Sequence, residues 1–150
     1  NYLSDVVVGK VRSAAEGAAA MAGARLEIEE FYPFYENVRP NSVVANTLRA
    51  NALAIGIPLD EPYPGRQGSA ASTDFGNVSQ VMPSFELRYA VSDHPVASHS
   101  REMSETATTE LAFSNAIAVA KSLSLTACDF LENPELLAAA RAEFEERSKA

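Results

Sequence analysis

The stretch from Ser72 to Val91, which reads STDFGNVSQVMPSFELRYAV, decides the predicted fold of this chain. It begins with small polar residues around one carboxylate, Asp74. It ends in residues 85–91, where apolar and polar side chains alternate with the period of two that is typical of a β-strand. A polar turn that leads into a strand, followed by helical sequence, predicts an α/β fold.

Helical patterns flank this stretch on both sides. Apolar residues recur at helical spacing in four segments, and favourable capping residues mark several of their ends. Leu26 and Ile28 alternate with glutamates instead, which predicts a strand over residues 24–31. The predicted helices are Leu3–Met21, ended by Gly23; a helix from the N-cap Asn41 to Gly56; about Ser104–Leu125; and Pro134–Ser148 after Asn133.

The composition is that of a globular protein. Of the 150 residues, 47% are hydrophobic and 21% are charged, which suffices for a domain that buries about two thirds of its unfolded surface. The net charge of -8 repels phosphate backbones and anionic lipid, so we expect neither nucleic-acid nor membrane binding. No apolar run approaches the ~20 residues that span a bilayer, and no signal peptide is recognisable, so we expect a cytoplasmic protein.

The single cysteine and the first residue of the chain each lead to one further prediction. Cys128 excludes an internal disulfide, and its apolar helical context predicts a buried thiol. The chain begins at Asn1 rather than at a methionine, inside a predicted helix. We therefore expect it to be part of a longer polypeptide.

Two histidines are candidates for metal binding or acid–base chemistry, the roles to which imidazole is best suited near neutral pH. His94 and His99 are five residues apart, a spacing that does not bring them to one helical face. His94 precedes Pro95, which favours an extended loop and a solvated or structural side chain. His99 stands before a helix that begins near Arg101 or Ser104, and a side chain at a strand-to-helix crossover can project into a cleft.

Asp74 has two possible roles. Its carboxylate can accept backbone N–H groups and fix the turn, as in an Asx turn. Alternatively, the turn shapes a substrate pocket, and Asp74 supports a metal site by orienting a ligating histidine. The two roles are compatible, and the sequence leaves both open.

The same residues carry a resemblance to a known family. The block Ser72–Ser79, with Pro83 after it, and the segment His99–Met103 resemble the closing part of the catalytic domain in metal-dependent amidohydrolases. That family of zinc metallopeptidases includes aminoacylases, carboxypeptidases and aminobenzoyl-glutamate hydrolase. Residues 16–19 and 26–28 resemble the last helix and strand of its lid domain.

The resemblance implies an α/β fold in two parts. Residues 1–35 would be the end of an α+β lid domain that mediates dimerisation. Residues 36–150 would be the C-terminal part of a zinc-peptidase-like, three-layer catalytic domain, and the complete enzyme would be a homodimer.

The resemblance also implies an activity. His99 matches the last metal-binding histidine of the family, and Ser72, Thr73, Asp74 and Asn77 would contact the substrate. The complete enzyme would hold one or two zinc or manganese ions, whose activated water attacks the amide of a small N-acyl amino acid or dipeptide-like molecule with the help of a glutamate base. The family's other ligands and its base precede the lid domain. Because a catalytic zinc needs about three protein ligands, we expect this segment to be inactive alone.

Two other functions stay open. The first is a non-catalytic dimerisation or interaction module derived from such an enzyme, which would use the alanine-rich first helix and the edge of the strand over residues 24–31. The second is a hydrolase in which His99 works with Asp74 and without a metal. The chain has no Gly-x-Ser-x-Gly elbow and no glycine-rich phosphate loop to support other hydrolase or nucleotide-binding classes.

Overall fold

The computed structural model describes residues 2–58 and 72–148, and all regular secondary structure in these ranges is helical. A π-helical segment, Leu3–Val7, continues into α1, and five further helices follow. The helices are α1 Val8–Ala22, α2 Ser42–Ala54, α3 Phe75–Val81, α4 Arg101–Thr106, α5 Glu110–Glu132 and α6 Pro134–Arg147.

Most helix ends follow the local signals in the sequence. Gly23 ends α1 with a φ of 64°, in the left-handed region that glycine adopts without strain. The side chain of Asn41 caps α2 by accepting the N–H of Val44 at 3.1 Å. Asn133 caps α6, with Pro134 in the first turn. The predicted positions of α1, α2 and α6 are confirmed.

The core lies where α2 packs against α5 and α6, and where α5 packs against α6. Mostly small side chains are buried there, which allows close approach of the helices. Hydrogen bonds between α2 and α5 reinforce the packing: the Asn51 amide donates to Thr126 Oγ1 at 3.1 Å and to Asp129 Oδ2 at 2.7 Å. The buried apolar residues are Leu48, Ala52, Ala112, Val119 and Ala140.

The predicted α/β fold is wrong for the described residues. Neither residues 24–31 nor residues 85–91 form a strand, and no sheet is present in the described ranges. A strand is stable only when a neighbouring strand pairs with its backbone N–H and C=O groups. Across the described residues these two segments exchange no ladder of backbone hydrogen bonds with another segment. The three-layer catalytic domain and the lid strand are therefore not supported.

The prediction for residues 57–125 also needs local corrections. Residues Phe75–Val81, expected to be loop, form the short helix α3, and residues 59–71 of the predicted loop lie outside the described residues. The helix expected from Ser104 to Leu125 is two helices. α4 begins at Arg101, and Thr109 caps a new helix, α5, that runs to Glu132.

Among the described helices, α5 alone is long and apolar enough to cross a membrane, by length and composition only, and the expected absence of membrane binding stays a prediction. Its most apolar window has a mean hydropathy of 1.3, because alanine, leucine and other apolar residues dominate its composition. The core helix of a soluble protein meets the same criterion. One face of α5, which carries Ser122 and Thr126, is buried against α2, and 22% of the apolar window is buried in the described part of the chain.

Cys128 lies on α5 and is exposed, so its predicted burial is wrong. An apolar helix sequence does not reveal which face meets its neighbours. The face that contacts α2 includes Ser122 and Thr126, and Cys128 falls outside it.

The N-terminal part of the chain is the least buried. α1 contributes no buried residue, although Arg12 forms an ion pair with Glu30 at 2.8 Å. The division into residues 1–35 and 36–150 stays a prediction.

Candidate functional site

The conspicuous block from Ser72 to Ser79 holds α3 against the segment formed by residues 34–39. Gly76 is buried, and a Cβ atom at this position would overlap the backbone carbonyl of Glu36. Only glycine therefore allows α3 to lie this close to the segment.

Polar side chains of α3 complete this contact. Asn77 Nδ2 donates to the carbonyl of Phe34 at 2.9 Å, and Asn77 Oδ1 accepts the N–H of Glu36 at 3.2 Å. Gln80 Nε2 donates to the carbonyl of Asn37 at 2.6 Å. Because its amide is occupied at both ends, Asn77 fixes the shape of the site, and a direct contact with substrate stays a prediction.

Ser79 forms the most buried of these contacts, with a solvent-exposed fraction of 0%. Its hydroxyl accepts the N–H of Arg39 at 2.8 Å and donates to the carbonyl of Gly76 at 2.6 Å. The spacing of Gly76, Asn77 and Ser79, which resembled a family motif, is thus required by packing in this chain.

A cavity of about 670 Å³ opens beside the start of α3. Ser72 and Thr73, two of the predicted substrate-binding residues, line it, whereas Asp74 and Asn77 do not. Aromatic and charged groups face the same space. Among them are Tyr35, Glu36, Phe75, Glu86 and Arg88.

The turn at Asp74 is held by its neighbour. Thr73 Oγ1 accepts the N–H of Phe75 at 3.2 Å, whereas the exposed Asp74 side chain makes no capping hydrogen bond to α3. The Asx turn proposed for Asp74 is therefore wrong. No hydrogen bond joins Asp74 to His99 within the described residues, and the role of Asp74 beside a metal site stays a prediction.

His99 lies on an exposed loop immediately before α4. Its φ is 60°, in the left-handed region that a residue with a side chain rarely adopts. The next residue is well anchored: Ser100 Oγ accepts the N–H of Met103 at 3.0 Å and donates to the carbonyl of Ala97 at 2.8 Å. The His99 imidazole makes no hydrogen bond to any described residue.

His94, predicted to be solvated or structural, contacts two carboxylates. Its Nδ1 lies 2.7 Å from Asp93 Oδ1, and its Nε2 lies 3.2 Å from Glu102 Oε1. The hydrogen bond to Asp93, followed by the one to Glu102, raises the pKa of His94 above its usual value. The contact with Glu102 has no signal in the sequence, because Glu102 lies eight positions away on another element.

The described residues contain no group of three or more histidine, cysteine or carboxylate side chains that could hold a metal ion. A catalytic zinc needs about three protein ligands, so these residues do not fit a complete metal site. The exposed imidazole of His99 fits one ligand position. Other ligands would have to come from outside the described residues.

A second cavity, of about 700 Å³, lies between α2, α5 and residues 85–90. None of the predicted site residues lines it. Its walls are largely apolar, and its polar side chains are those of Asn46, Arg49, Arg88, Tyr89 and Asn115.

Comparison with known proteins indicates a peptidase relationship. No protein-family model matches the chain. Over 139 residues it is 30% identical to Xaa-Arg dipeptidase of mouse (Mus musculus), and it matches the human (Homo sapiens) protein of the same name at the same identity. The alignments cover 93% of this chain but only 32% of each relative. The chain thus spans about a third of the length of the curated relatives that it matches, and this distant homology supports a peptidase or amidohydrolase relationship.

Proposed function

We propose that this chain is part of a metal-dependent amidohydrolase that cleaves the amide bond of dipeptide-like molecules or small N-acyl amino acids. The observation that carries the proposal is the homology to two Xaa-Arg dipeptidases over 93% of the chain. Since the chain spans about a third of those relatives, the complete catalytic set would include residues from other segments. The activity, the homodimer and the cytoplasmic location are all part of this proposal.

In this proposal the described residues have two roles. His99 supplies one ligand for zinc or manganese, for which its exposed imidazole without a hydrogen bond is suitable. Ser72 and Thr73 contact the substrate from the cavity beside α3, where their hydroxyls can pair with an amide or a carboxylate.

The name of the relatives and the net charge of the chain suggest a preferred substrate. The relatives are named for a substrate that ends in arginine. Glu36, Glu86 and Arg88 line the cavity, and Arg88 forms an ion pair with Glu86 at 2.7 Å. The whole chain carries a net charge of -8. The negative net charge of the chain favours the approach of a positively charged substrate over a neutral or an acidic one.

The experiment replaces His99 by alanine in the full natural polypeptide. We expect the His99→Ala variant to lose its bound metal, measured by inductively coupled plasma mass spectrometry. We also expect it to lose the hydrolysis of Xaa-Arg dipeptides. Ser98→Ala, on the same loop, is the matched control and should keep both. Full metal content and activity in His99→Ala would show that the assignment of His99 is wrong.

A second candidate function is a non-catalytic dimerisation module, which the exposure of the N-terminal segment favours. α1 buries no residue, and Met21, Phe31 and Tyr32 are 87%, 77% and 74% exposed. A second copy of the chain could cover these side chains. Analytical ultracentrifugation of the 150-residue chain distinguishes the dimerisation module from the amidohydrolase. A dimer that forms without metal and takes up no zinc supports the dimerisation module, whereas a monomer contradicts it.

A further inference from the structure

The cavity of about 700 Å³ is bordered by apolar side chains from three parts of the chain. Ile55 lies at the end of α2, Val119 lies on α5, and Leu87 belongs to the non-helical residues 85–90. The charged side chains on its walls are those of two arginines. One of them, Arg88, is paired with Glu86 at 2.7 Å. The cavity is therefore a space that suits apolar side chains better than water.

The backbone of residues 85–89 has no partner for its polar groups. Within the described part of the chain, none of its N–H or C=O groups takes part in a hydrogen bond. The flanking carbonyls are anchored: that of Ser84 accepts the N–H of Asn41 at 2.9 Å, and that of Ala90 accepts Asn115 Nδ2 at 2.8 Å. The segment is thus fixed at both ends, and its backbone is open to pairing between them.

The small size of the core indicates that more apolar surface is available for burial. Of the five buried apolar residues in the described ranges, three are alanines. Large apolar side chains beside the cavity are exposed instead, with Ile55 at 37% and Tyr89 at 44%. A contiguous apolar surface of this kind commonly marks an interaction site.

The length of the relatives indicates what covers this surface. The alignments cover 93% of this chain but 32% of each relative, so about two thirds of a relative has no counterpart here. A segment of the same polypeptide acts at a high effective concentration, which favours it over a separate molecule. The partner that fits these observations is therefore another part of the natural polypeptide.

We propose that the cavity bordered by Ile55, Leu87 and Val119 is a docking site for an apolar segment of the natural polypeptide outside these 150 residues. The side chains of that segment fill the cavity, and its backbone pairs with residues 85–89. This docking rests on the part of the proposed function in which the chain belongs to a longer enzyme. Because Glu86 also lines the cavity beside α3, docking fixes one wall of the proposed substrate site.

The first test places the photo-crosslinking residue benzoylphenylalanine at Tyr89 in the full natural polypeptide. Tyr89 lines the cavity, and the new side chain keeps an aromatic ring there. Glu145, exposed on α6, is the control position for the same probe. Mass spectrometry after irradiation and proteolysis identifies the joined peptides. We expect the Tyr89 probe to join a peptide outside the 150 residues, in the same molecule, roughly tenfold more often than the Glu145 probe.

A second test asks whether the cavity is filled in the full natural polypeptide. Ala118→Trp adds a large ring to the wall of the cavity, whereas Ala139→Trp adds the same ring at an exposed position of α6. If another segment fills the cavity, the ring at position 118 overpacks it. We then expect Ala118→Trp to lower the melting temperature by several degrees more than Ala139→Trp does.

Three results would overturn this docking. The first is crosslinking from Tyr89 only to peptides of the 150 residues. The second is crosslinking to another molecule, which would make the surface an interface between copies. The third is equal melting of the two tryptophan variants, which would show that the cavity is open to solvent or a small ligand.

A failure of the proposed function gives a different result. An intact mass of the natural polypeptide near the 16.0 kDa of this chain would overturn both the longer enzyme and the docking. A longer polypeptide without the expected crosslink from Tyr89 would overturn the docking alone, since neither test depends on a metal ion or on activity.

Discussion

Glu143 of α6 caps α2 from outside that helix, through Ser42. Its carboxylate accepts the backbone N–H of Ser42 at 2.8 Å and the Ser42 hydroxyl at 2.8 Å. It also accepts the N–H of Val43 at 3.1 Å. The first N–H groups of a helix have no partner within the helix and favour negative charge. This contact between two helices thus joins local capping to the packing of the core.

Replacing Glu143 by glutamine should destabilise the protein. Glutamine keeps one acceptor oxygen but loses the charge, and a hydrogen bond to a charged group contributes roughly 1.5–3 kcal/mol. We expect Glu143→Gln to lower the free energy of unfolding by about 1–2 kcal/mol, measured by urea denaturation. Glu145→Gln, an exposed position on the same helix, is the control, and an equal loss in both variants would refute the role of the cap.

The contribution of Glu143 should depend on pH. Burial raises the pKa of Glu143, but hydrogen bonds from Ser42 and Val43 and the charge of Arg147 outweigh it, so the pKa lies below the usual 4.5. A carboxyl group with a lowered pKa stabilises the fold above its unfolded pKa and loses that effect as the pH falls through the folded pKa. The stability difference between wild type and Glu143→Gln should stay constant above about pH 5.5 and shrink below 4.5. A difference that grows on acidification would contradict this sign.

Alanine substitutions at two glycines should have opposite effects. Gly76→Ala places a Cβ against the carbonyl of Glu36 and should cost about 1–3 kcal/mol, as overpacking does. Gly17, inside α1, has open space around the added atom, so Gly17→Ala should raise helix stability by roughly 0.5–1 kcal/mol. Thermal unfolding followed by circular dichroism measures both, and a Gly76→Ala variant as stable as wild type would refute the close contact of α3.

Removing the buried hydroxyl of Ser79 should leave the partly buried N–H of Arg39 without its acceptor. Ser79→Ala removes this hydrogen bond and the one to the carbonyl of Gly76, and an unsatisfied group costs about 1 kcal/mol when it is partly buried, at the lower end of the range for buried groups. The free energy of unfolding in urea should fall by this amount. Ser98→Ala, in the exposed loop before α4, is the control and should leave the free energy of unfolding unchanged. An equally small effect of Ser79→Ala would contradict the role of Ser79 in holding α3 against Arg39.

Cys128 should react without unfolding. Because the thiol is exposed on α5, a maleimide reagent should label the folded 150-residue chain at a rate close to that of the chain in denaturant. Intact-mass spectrometry over time measures the labelling. Protection by several orders of magnitude in the folded chain would show that Cys128 is buried after all.

Local signals in the sequence were sufficient for the helices that carry their own caps. Gly23, Asn41 and the Asn133–Pro134 pair mark helix ends that the structure reproduces, because capping depends on residues within one turn. The break between α4 and α5 at Thr109 was missed, since helical spacing continues through it. The strands were predicted from alternation alone, which cannot show whether a pairing partner exists.

The sequence by itself determined which residues are candidates for the site and the distant similarity of the chain to Xaa-Arg dipeptidases. The block from Ser72 to Ser79 and the position of His99 are readable without coordinates, because they depend on the order of residues. Only the tertiary structure decided that Gly76 and Ser79 anchor α3, that Cys128 is exposed, and that His94 reaches Glu102. The physical reason is that burial and hydrogen bonds between distant residues depend on which surfaces meet, and spacing along the chain does not encode that directly.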